Sequence, residues 1–197
     1  DKAPLTVRRT ARHECRGFVV ENLYFESHPG FYVTGNLYYP TSGVGPFPGI
    51  SCPHGHWATG RLAMEESGSV PARCVALARM GNVVFAYDMI GHNDSLQMEH
   101  WYEGAWEALW GLSVLGLQLW NSIRVLDMLQ SLDVVDPNRL GCTGASGGGT
   151  QTFLLTAVDD RVGVSAPVNM VSAHMQGGCV CENAAHLRLD ATNVEIA

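Results

Sequence analysis

Residues 139–158 read RLGCTGASGGGTQTFLLTAV, and this stretch decides the expected fold. Its apolar start predicts a buried strand, and its apolar end predicts a helix. Between them, Gly144, Gly147 and Gly148 surround Ser146, so the chain can turn tightly there. A serine held on a sharp strand-to-helix turn is the arrangement of a nucleophile elbow.

The chemistry of an elbow explains this spacing. A serine hydroxyl is a poor nucleophile until a base takes its proton, and the turn exposes it beside the free N–H groups that begin the helix. We therefore predict Ser146 as the nucleophile and the Gly147 N–H as an oxyanion donor. A glycine-rich connector is the plainer alternative. A phosphate loop is disfavoured because neither glycine-rich phosphate motif is present.

A second oxyanion donor usually comes from the loop after an earlier strand. The segment PHGHW, at 53–57, follows an apolar run and stands in that place. We predict that the backbone N–H of His56 is the donor, and a side-chain role for His56 is less favoured. His54 is expected to be a packed structural histidine.

Strands and helices alternate along the remaining sequence. This order predicts an α/β fold with a mostly parallel sheet flanked by helices and an N-terminal β-hairpin. Residues 1–197 are expected to form one domain, with 1–17 as a peripheral segment. The predicted strands are 19–27, 32–39, 47–52, 83–87, 139–143 and 162–170, and the predicted helices are 69–80, 106–132 and 147–158.

Composition narrows the function further. The chain has 197 residues, 46% of them hydrophobic and 16% charged, which is typical of a globular domain. The net charge of −7 and the lack of a basic run argue against nucleic-acid binding. The longest apolar stretch is too short for a bilayer span. We predict no nucleic-acid or membrane partner, and the oligomeric state stays open.

Four segments carry a resemblance to a known family. They are HGHW at 54–57, YDMIGHNDS at 87–95, VDPNRLGCTGASGGG at 135–149 and PVNM at 167–170. Together they resemble the α/β-hydrolases and, among these, the acetyl xylan esterase-like hydrolases. The resemblance implies hydrolysis of a carboxylic ester through an acyl-serine intermediate, without a cofactor. It also implies an ester derived from a poly- or oligosaccharide as one substrate class.

The chain departs from the family in the loop 88–95. The family pattern there is D-x-R-G-x-G-x-S, but Ile90 replaces the arginine and Asn93 replaces the second glycine. Asp88 is therefore expected to have a structural role with an uncertain partner, and we do not predict it to be catalytic.

The family order places an acid and then a histidine after the serine. Only 27 residues follow Met170, too few for two more βα units, so we expect the C-terminal strands to be missing. Glu182 is a weaker candidate for the acid, and His174 and His186 are weaker candidates for the base. A shortened sheet would expose an apolar edge, which favours aggregation or a covering partner.

Cysteines, histidines and aromatic residues suggest other chemistry less strongly. Cys179 and Cys181, with His174 and His186, resemble a zinc set, but packed thiols are favoured. A metal-hydrolase set of His54, His56, His92 and Asp94 is disfavoured, so no metal or cofactor is predicted. The aromatic residues that could stack on a sugar, although packing is the favoured role, are Trp57, Trp101, Tyr102 and Trp106.

These observations favour a serine carboxylic ester hydrolase acting on a small-molecule or carbohydrate ester. Two alternatives stay open: a non-catalytic hydrolase-like module, and a peptidase or dienelactone-type hydrolase on the same fold. Periplasmic or secreted localisation is slightly favoured by the resemblance. Cytoplasmic localisation is possible because the cysteines look free.

Overall fold

A mixed β-sheet of seven strands forms the centre of the protein in a computed structural model that describes residues 2, 4–66, 68–102, 104–174, 177–182 and 192–197. The strands of this sheet are β1 (Arg8–Cys15), β2 (Phe18–His28), β3 (Phe31–Pro40), β4 (Phe47–Pro53), β7 (Val83–Tyr87), β8 (Val135–Ala145) and β9 (Val162–Val168). A small hairpin consists of β5 (Met64–Glu65) and β6 (Gly68–Ser69). The helices are α1 (Val70–Arg79), α2 (Ala105–Leu109), α3 (Val114–Gln130), α4 (Gly147–Val158) and α5 (Asn193–Ile196), with a 3₁₀ turn at Gly60–Leu62.

The strand order is β1-β2-β3-β7-β4-β8-β9. Strands β7, β4, β8 and β9 are mutually parallel, whereas β1, β2 and β3 form antiparallel pairs that join β7. The α/β fold class with an N-terminal hairpin is therefore confirmed. The carboxyl ends of β4, β7 and β8 lie at one edge of the sheet, where parallel strands place ligand sites.

Helices cover both faces of the sheet. Every residue of β7 is buried, and alternate side chains point to opposite faces. Val83, Phe85 and Tyr87 pack in the cluster that includes α3, while Val84 and Ala86 pack in the cluster with α1. The continuous apolar run of β7 is thus explained by burial on both sides.

The N-terminal segment contains a strand that the sequence pattern does not predict. Arg8–Cys15 pairs with β2 although almost all of its side chains are exposed. Backbone hydrogen bonds hold this edge strand, and Arg9 and Arg12 both form ion pairs with Glu21 on β2. The polar side chains of this edge strand do not alternate with apolar ones, so the sequence pattern does not predict a strand here.

The single long helix predicted over 106–132 is two helices. Gly111 has a φ of 70°, a left-handed conformation that ends α2. Ser113 then begins α3, because its hydroxyl accepts a hydrogen bond from the Gly116 N–H at 3.0 Å. Among the residues that the structure describes, none of the helices is long and apolar enough to cross a membrane.

Strand β9 pairs only with β8 within the described part of the chain. Its valines are largely exposed, with Val164 73% accessible. An apolar groove of about 510 Å³ lies beside it, between β8 and the end of α1, and includes Ile50, Leu77 and Leu140. This edge of the sheet therefore exposes apolar side chains.

Asp127 provides a test of how α3 is held. Its carboxylate contacts Lys2, Arg124 and Arg161 at 2.6–2.9 Å, and these hydrogen bonds outweigh burial, so the pKa of Asp127 lies below its usual value. Asp127→Asn is expected to reduce the free energy of unfolding by about 1–2 kcal/mol at pH 7. The folded-state pKa is lowered, so the difference persists above about pH 4 and shrinks as the pH falls further.

Urea unfolding at pH 7 and pH 3 measures this difference. Asp133→Asn is the matched control, because Asp133 is exposed and forms no ion pair with described residues. Equal effects of the two substitutions at pH 7 would contradict the assignment.

Candidate active site

Ser146 lies between β8 and α4 in a conformation that serine rarely adopts. Its φ is 56° and its ψ is −125°. A positive φ costs free energy for a residue with a side chain, so the surrounding contacts must impose it. The Ser146 N–H donates to the Val168 carbonyl at 3.1 Å, and the Ser146 carbonyl accepts from Thr150 N–H at 3.0 Å. Strand β9 and helix α4 therefore fix the turn from both sides.

The end of β4 and the loop after it approach this turn so closely that Gly144, Gly148 and Gly55 have no room for a side chain. A Cβ at Gly148 would overlap the carbonyl of Pro53. A Cβ at Gly55 would lie 2.9 Å from the Cβ of Ser146. The glycines at these positions let β4, β8 and the first turn of α4 meet at one point.

The three residues predicted from the sequence lie around this point. A Cβ at Gly147 would lie 2.9 Å from His56 Cε1 and 3.2 Å from Glu182 Oε1. Within the described chain, neither the His56 nor the Gly147 backbone N–H donates to a protein acceptor. The structure thus brings His56 and Gly147 together beside Ser146, and adds Glu182.

Of the weaker base candidates, only His174 lies among the described residues, and it is not brought to the serine. His174 is exposed in the segment after β9, and His186 lies outside the described residues. No described histidine nitrogen forms a hydrogen bond with the Ser146 hydroxyl. Glu182 is buried and contacts His56 Nδ1 at 3.2 Å through Oε1.

Charge is concentrated around His56. A hydrogen bond with Cys179 and the carboxylate of Glu182 raise the pKa of His56 to about 9. Burial opposes ionisation of Glu182, but His56 and the Gly178 N–H outweigh it and lower the Glu182 pKa. The pKa of Cys179 is also lowered, because Cys181 and two imidazoles hydrogen-bond to its sulfur. This part of the site favours thiolate, carboxylate and imidazolium together.

His54 has the structural role expected for it. The ring is fully buried, its Nδ1–H donates to the Gly55 carbonyl at 2.7 Å, and its Nε2 accepts from Met89 N–H at 3.0 Å. Burial lowers the pKa of His54 to about 3, so the ring is neutral at ordinary pH. His54 therefore joins the loop after β4 to the loop after β7.

Asp88 has a partner from a part of the chain that the sequence does not indicate. Arg61, in the 3₁₀ turn, forms a buried ion pair with the Asp88 carboxylate. The same guanidinium binds Asp94 Oδ2 and Asn36 Oδ1, each at 2.7 Å. Thr34 Oγ1 also donates to Asp88 at 2.7 Å. Arg61 thus takes the place of the arginine that the loop motif lacks, and Asp88 has a structural role.

The second departure in that loop also has a physical explanation. Asn93, which stands where the family pattern has glycine, has a φ of 47°. Asparagine tolerates this left-handed conformation better than most residues. Its amide donates to Asp88 Oδ1 at 2.8 Å and to the Thr59 carbonyl at 2.9 Å. The loop therefore keeps its shape with different residues.

Cys179 and Cys181 meet two histidines other than those suggested by the sequence. Their sulfurs lie close to His56 Nε2 and His100 Nε2, and all four atoms lie within 4.8 Å of one another. We call His56, His100, Cys179 and Cys181 the thiol–imidazole cluster. His100 was missed because no local motif links position 100 with 56 or 179.

A cleft of about 660 Å³ opens next to His56. Trp57 and Trp101 line it, together with His92 and His100. Trp57 is half-buried against the α1 cluster, whereas Trp101 is 66% exposed and stacks on the His56 ring at 6.5 Å. The cleft therefore combines polar imidazoles with one accessible aromatic face.

Known structures show the same fold. The protein described as "Methylesterase BT1017" is 36% identical and superposes with a TM-score of 0.82, covering 99% of this chain and 43% of its own. The chain has the α/β-hydrolase fold. The acetyl xylan esterase of Paenibacillus sp. R4 shares this fold at 20% identity and a TM-score of 0.64, over 81% of this chain and 52% of its own.

Sequence comparison adds one curated relative of this chain. YtaP of Bacillus subtilis (strain 168), a hydrolase by name, is 28% identical in an alignment of 178 residues that covers 83% of this chain and 57% of YtaP. The chain thus spans about half the length of the relatives it matches. No protein-family model matches it.

Breaking the buried ion pair of Arg61 and Asp88 tests its structural role. Arg61→Met leaves Asp88 buried without its charged partner, and we expect the free energy of unfolding to fall by about 3–5 kcal/mol. Arg139→Met is the control, because Arg139 is exposed, and it should change stability by less than about 0.5 kcal/mol. Chemical denaturation compares the two, and equal stabilities would refute the role of Arg61.

Proposed function

We propose that the protein is a serine carboxylic ester hydrolase with Ser146 as its nucleophile. The observation that carries the proposal is the strained conformation of Ser146, with a φ of 56° at the first turn of α4. A strained, non-glycine residue at a tight turn is common where the side chain must be presented for reaction. The methylesterase and acetyl xylan esterase names of similar proteins support the same class.

In this mechanism the Ser146 Oγ attacks the ester carbonyl carbon, and the carbonyl oxygen gains negative charge. The backbone N–H groups of Gly147 and His56 stabilise that oxyanion, helped by the positive end of α4. The ester C–O bond then breaks, the leaving oxygen takes a proton and departs as the alcohol, and water hydrolyses the acyl-serine. Both N–H groups lie beside Ser146 and have no protein acceptor among the described residues, which supports their role.

The reaction also needs a base for the Ser146 proton and a carboxylate that orients it. Within the described chain, the His56 ring is engaged by Cys181 at 2.7 Å and by Glu182 at 3.2 Å, and so is not directed at Ser146.

The cleft beside His56 supports an ester with a carbohydrate part. Sugar rings bind through apolar faces and hydroxyl groups, and a flat indole beside polar imidazoles offers both kinds of contact. Trp101, exposed in the cleft, is the residue best placed for stacking.

Ser146→Ala tests the nucleophile. We expect kcat/KM for an activated acetyl ester to fall by at least about 10³-fold, because the acyl-enzyme can no longer form. A fluorophosphonate probe should label the unaltered protein at Ser146 and leave the variant unlabelled. Ser131→Ala, at the end of α3, should change neither readout. Full turnover by the Ser146 variant would exclude the mechanism.

Trp101→Ala tests the carbohydrate part of the proposal. Loss of one stacking contact of about 0.5–1.5 kcal/mol should raise KM for an acetylated oligosaccharide by about 2- to 10-fold. KM for a small activated ester should stay the same. Trp110→Ala is the control, because Trp110 is 81% exposed and does not line the cleft. An unchanged KM for the oligosaccharide in the Trp101 variant would remove stacking from the proposal.

A further inference from the structure

Four ligand atoms converge at the wall of the cleft. Nε2 of His56 lies 2.8 Å from Nε2 of His100, 3.0 Å from the sulfur of Cys179 and 2.7 Å from that of Cys181. The two sulfurs are 2.6 Å apart, and Cys179 lies 3.9 Å from His100 Nε2. The chain brings these atoms together from sequence separations as large as 125 residues.

Each of the two histidine rings is oriented by a partner at its Nδ1 atom. Nδ1 of His56 faces Glu182 Oε1 at 3.2 Å, and Nδ1–H of His100 donates to the Ile90 carbonyl at 2.7 Å. A partner at Nδ1 fixes the plane of the ring and lets Nε2 act as a ligand once Nε2 has given up its proton. Histidines that bind metals usually have this kind of support at the second nitrogen, from a carboxylate or a backbone carbonyl. Here His56 has the carboxylate, and His100 has the backbone carbonyl.

We propose that His56, His100, Cys179 and Cys181 bind one zinc ion. Two thiolates and two imidazoles form a ligand set that zinc prefers. Zn–N and Zn–S bonds of about 2.0–2.3 Å in a tetrahedron separate the ligand atoms by about 3.3–3.8 Å. The separations given above, from 2.6 to 3.9 Å, bracket this range, so small side-chain movements would seat the ion.

The site is structural. Four protein ligands fill a tetrahedral zinc and leave no position for a reactive water. Three of the four residues are buried, so the ion would be shielded from solvent. It would join the loop after β4, the loop after β7 and the segment 177–182 beside the first turn of α4. The proposal does not depend on ester hydrolysis, since its ligands and its test are independent of Ser146.

Simple thiol packing is the competing explanation. The pair Cys52 and Cys74 shows what packing looks like in this protein, with sulfurs 3.7 Å apart and no imidazole between them. In the cluster, by contrast, two imidazole nitrogens and two sulfurs face one another. Four potential ligand atoms that face one point favour a bound metal ion over hydrogen bonds among the four side chains.

Zinc content of protein purified without chelator tests the site. We expect about one zinc ion per chain, with loss of at least about nine-tenths of it in Cys179→Ser, Cys181→Ser and His100→Gln. Two controls should retain it: His92→Gln, whose ring lies 4.7 Å from that of His100 in the same cleft, and Cys15→Ser, an exposed thiol on β1. Zinc retained by the Cys179→Ser, Cys181→Ser double variant would refute the location.

A second measurement does not require the variants to fold. Co²⁺ added to the chelator-treated protein should produce a thiolate-to-cobalt charge-transfer band in the near ultraviolet. Added Zn²⁺ should abolish that band and protect Cys179 and Cys181 from alkylation, as peptide mapping would show. Zinc-free protein whose two thiols react equally with and without added Zn²⁺, or are joined as a disulfide, would overturn the proposal.

Discussion

The close contact between the end of β4 and the first turn of α4 is the constraint on which the site depends. The carbonyl of Pro53 lies where a side chain at Gly148 would be, so the two segments meet at backbone distance. That contact brings Gly55 against Ser146 and places His56 beside Gly147. Because β4 pairs with both β7 and β8, displacement of this strand would disturb every loop around the cleft.

A buried ion pair organises the other wall. Arg61 and Asp88 are both buried, and a charge in that position is tolerated only when it is paired and hydrogen-bonded. The loop that begins at Asp88 continues to His100 and Trp101, so the ion pair supports residues of the cleft that it does not touch. Stability and site geometry are thereby linked through one electrostatic contact.

Local signals made half of this arrangement predictable. The turn around Ser146 and the segment PHGHW are short patterns with a physical reason for each residue, and the fold followed from alternating strands and helices. Arg61 could not be predicted as the partner of Asp88, because 27 residues separate them and no spacing rule links them. His100 escaped for the same reason, since its contact with Cys179 spans 79 residues. Contacts that form only in the folded chain cannot be predicted from the spacing of residues along the sequence.

The mixed sheet has a consequence for the order of folding. Strands β1, β2 and β3 are joined by tight turns, so their pairs require little loop closure and can form while the chain is still short. The parallel pair of β4 and β8 must instead close a loop that contains α1, β7 and α3. The conformation of Ser146 depends on the contact of β4 with the turn after β8, so it exists only after this closure and is absent from a partly folded chain.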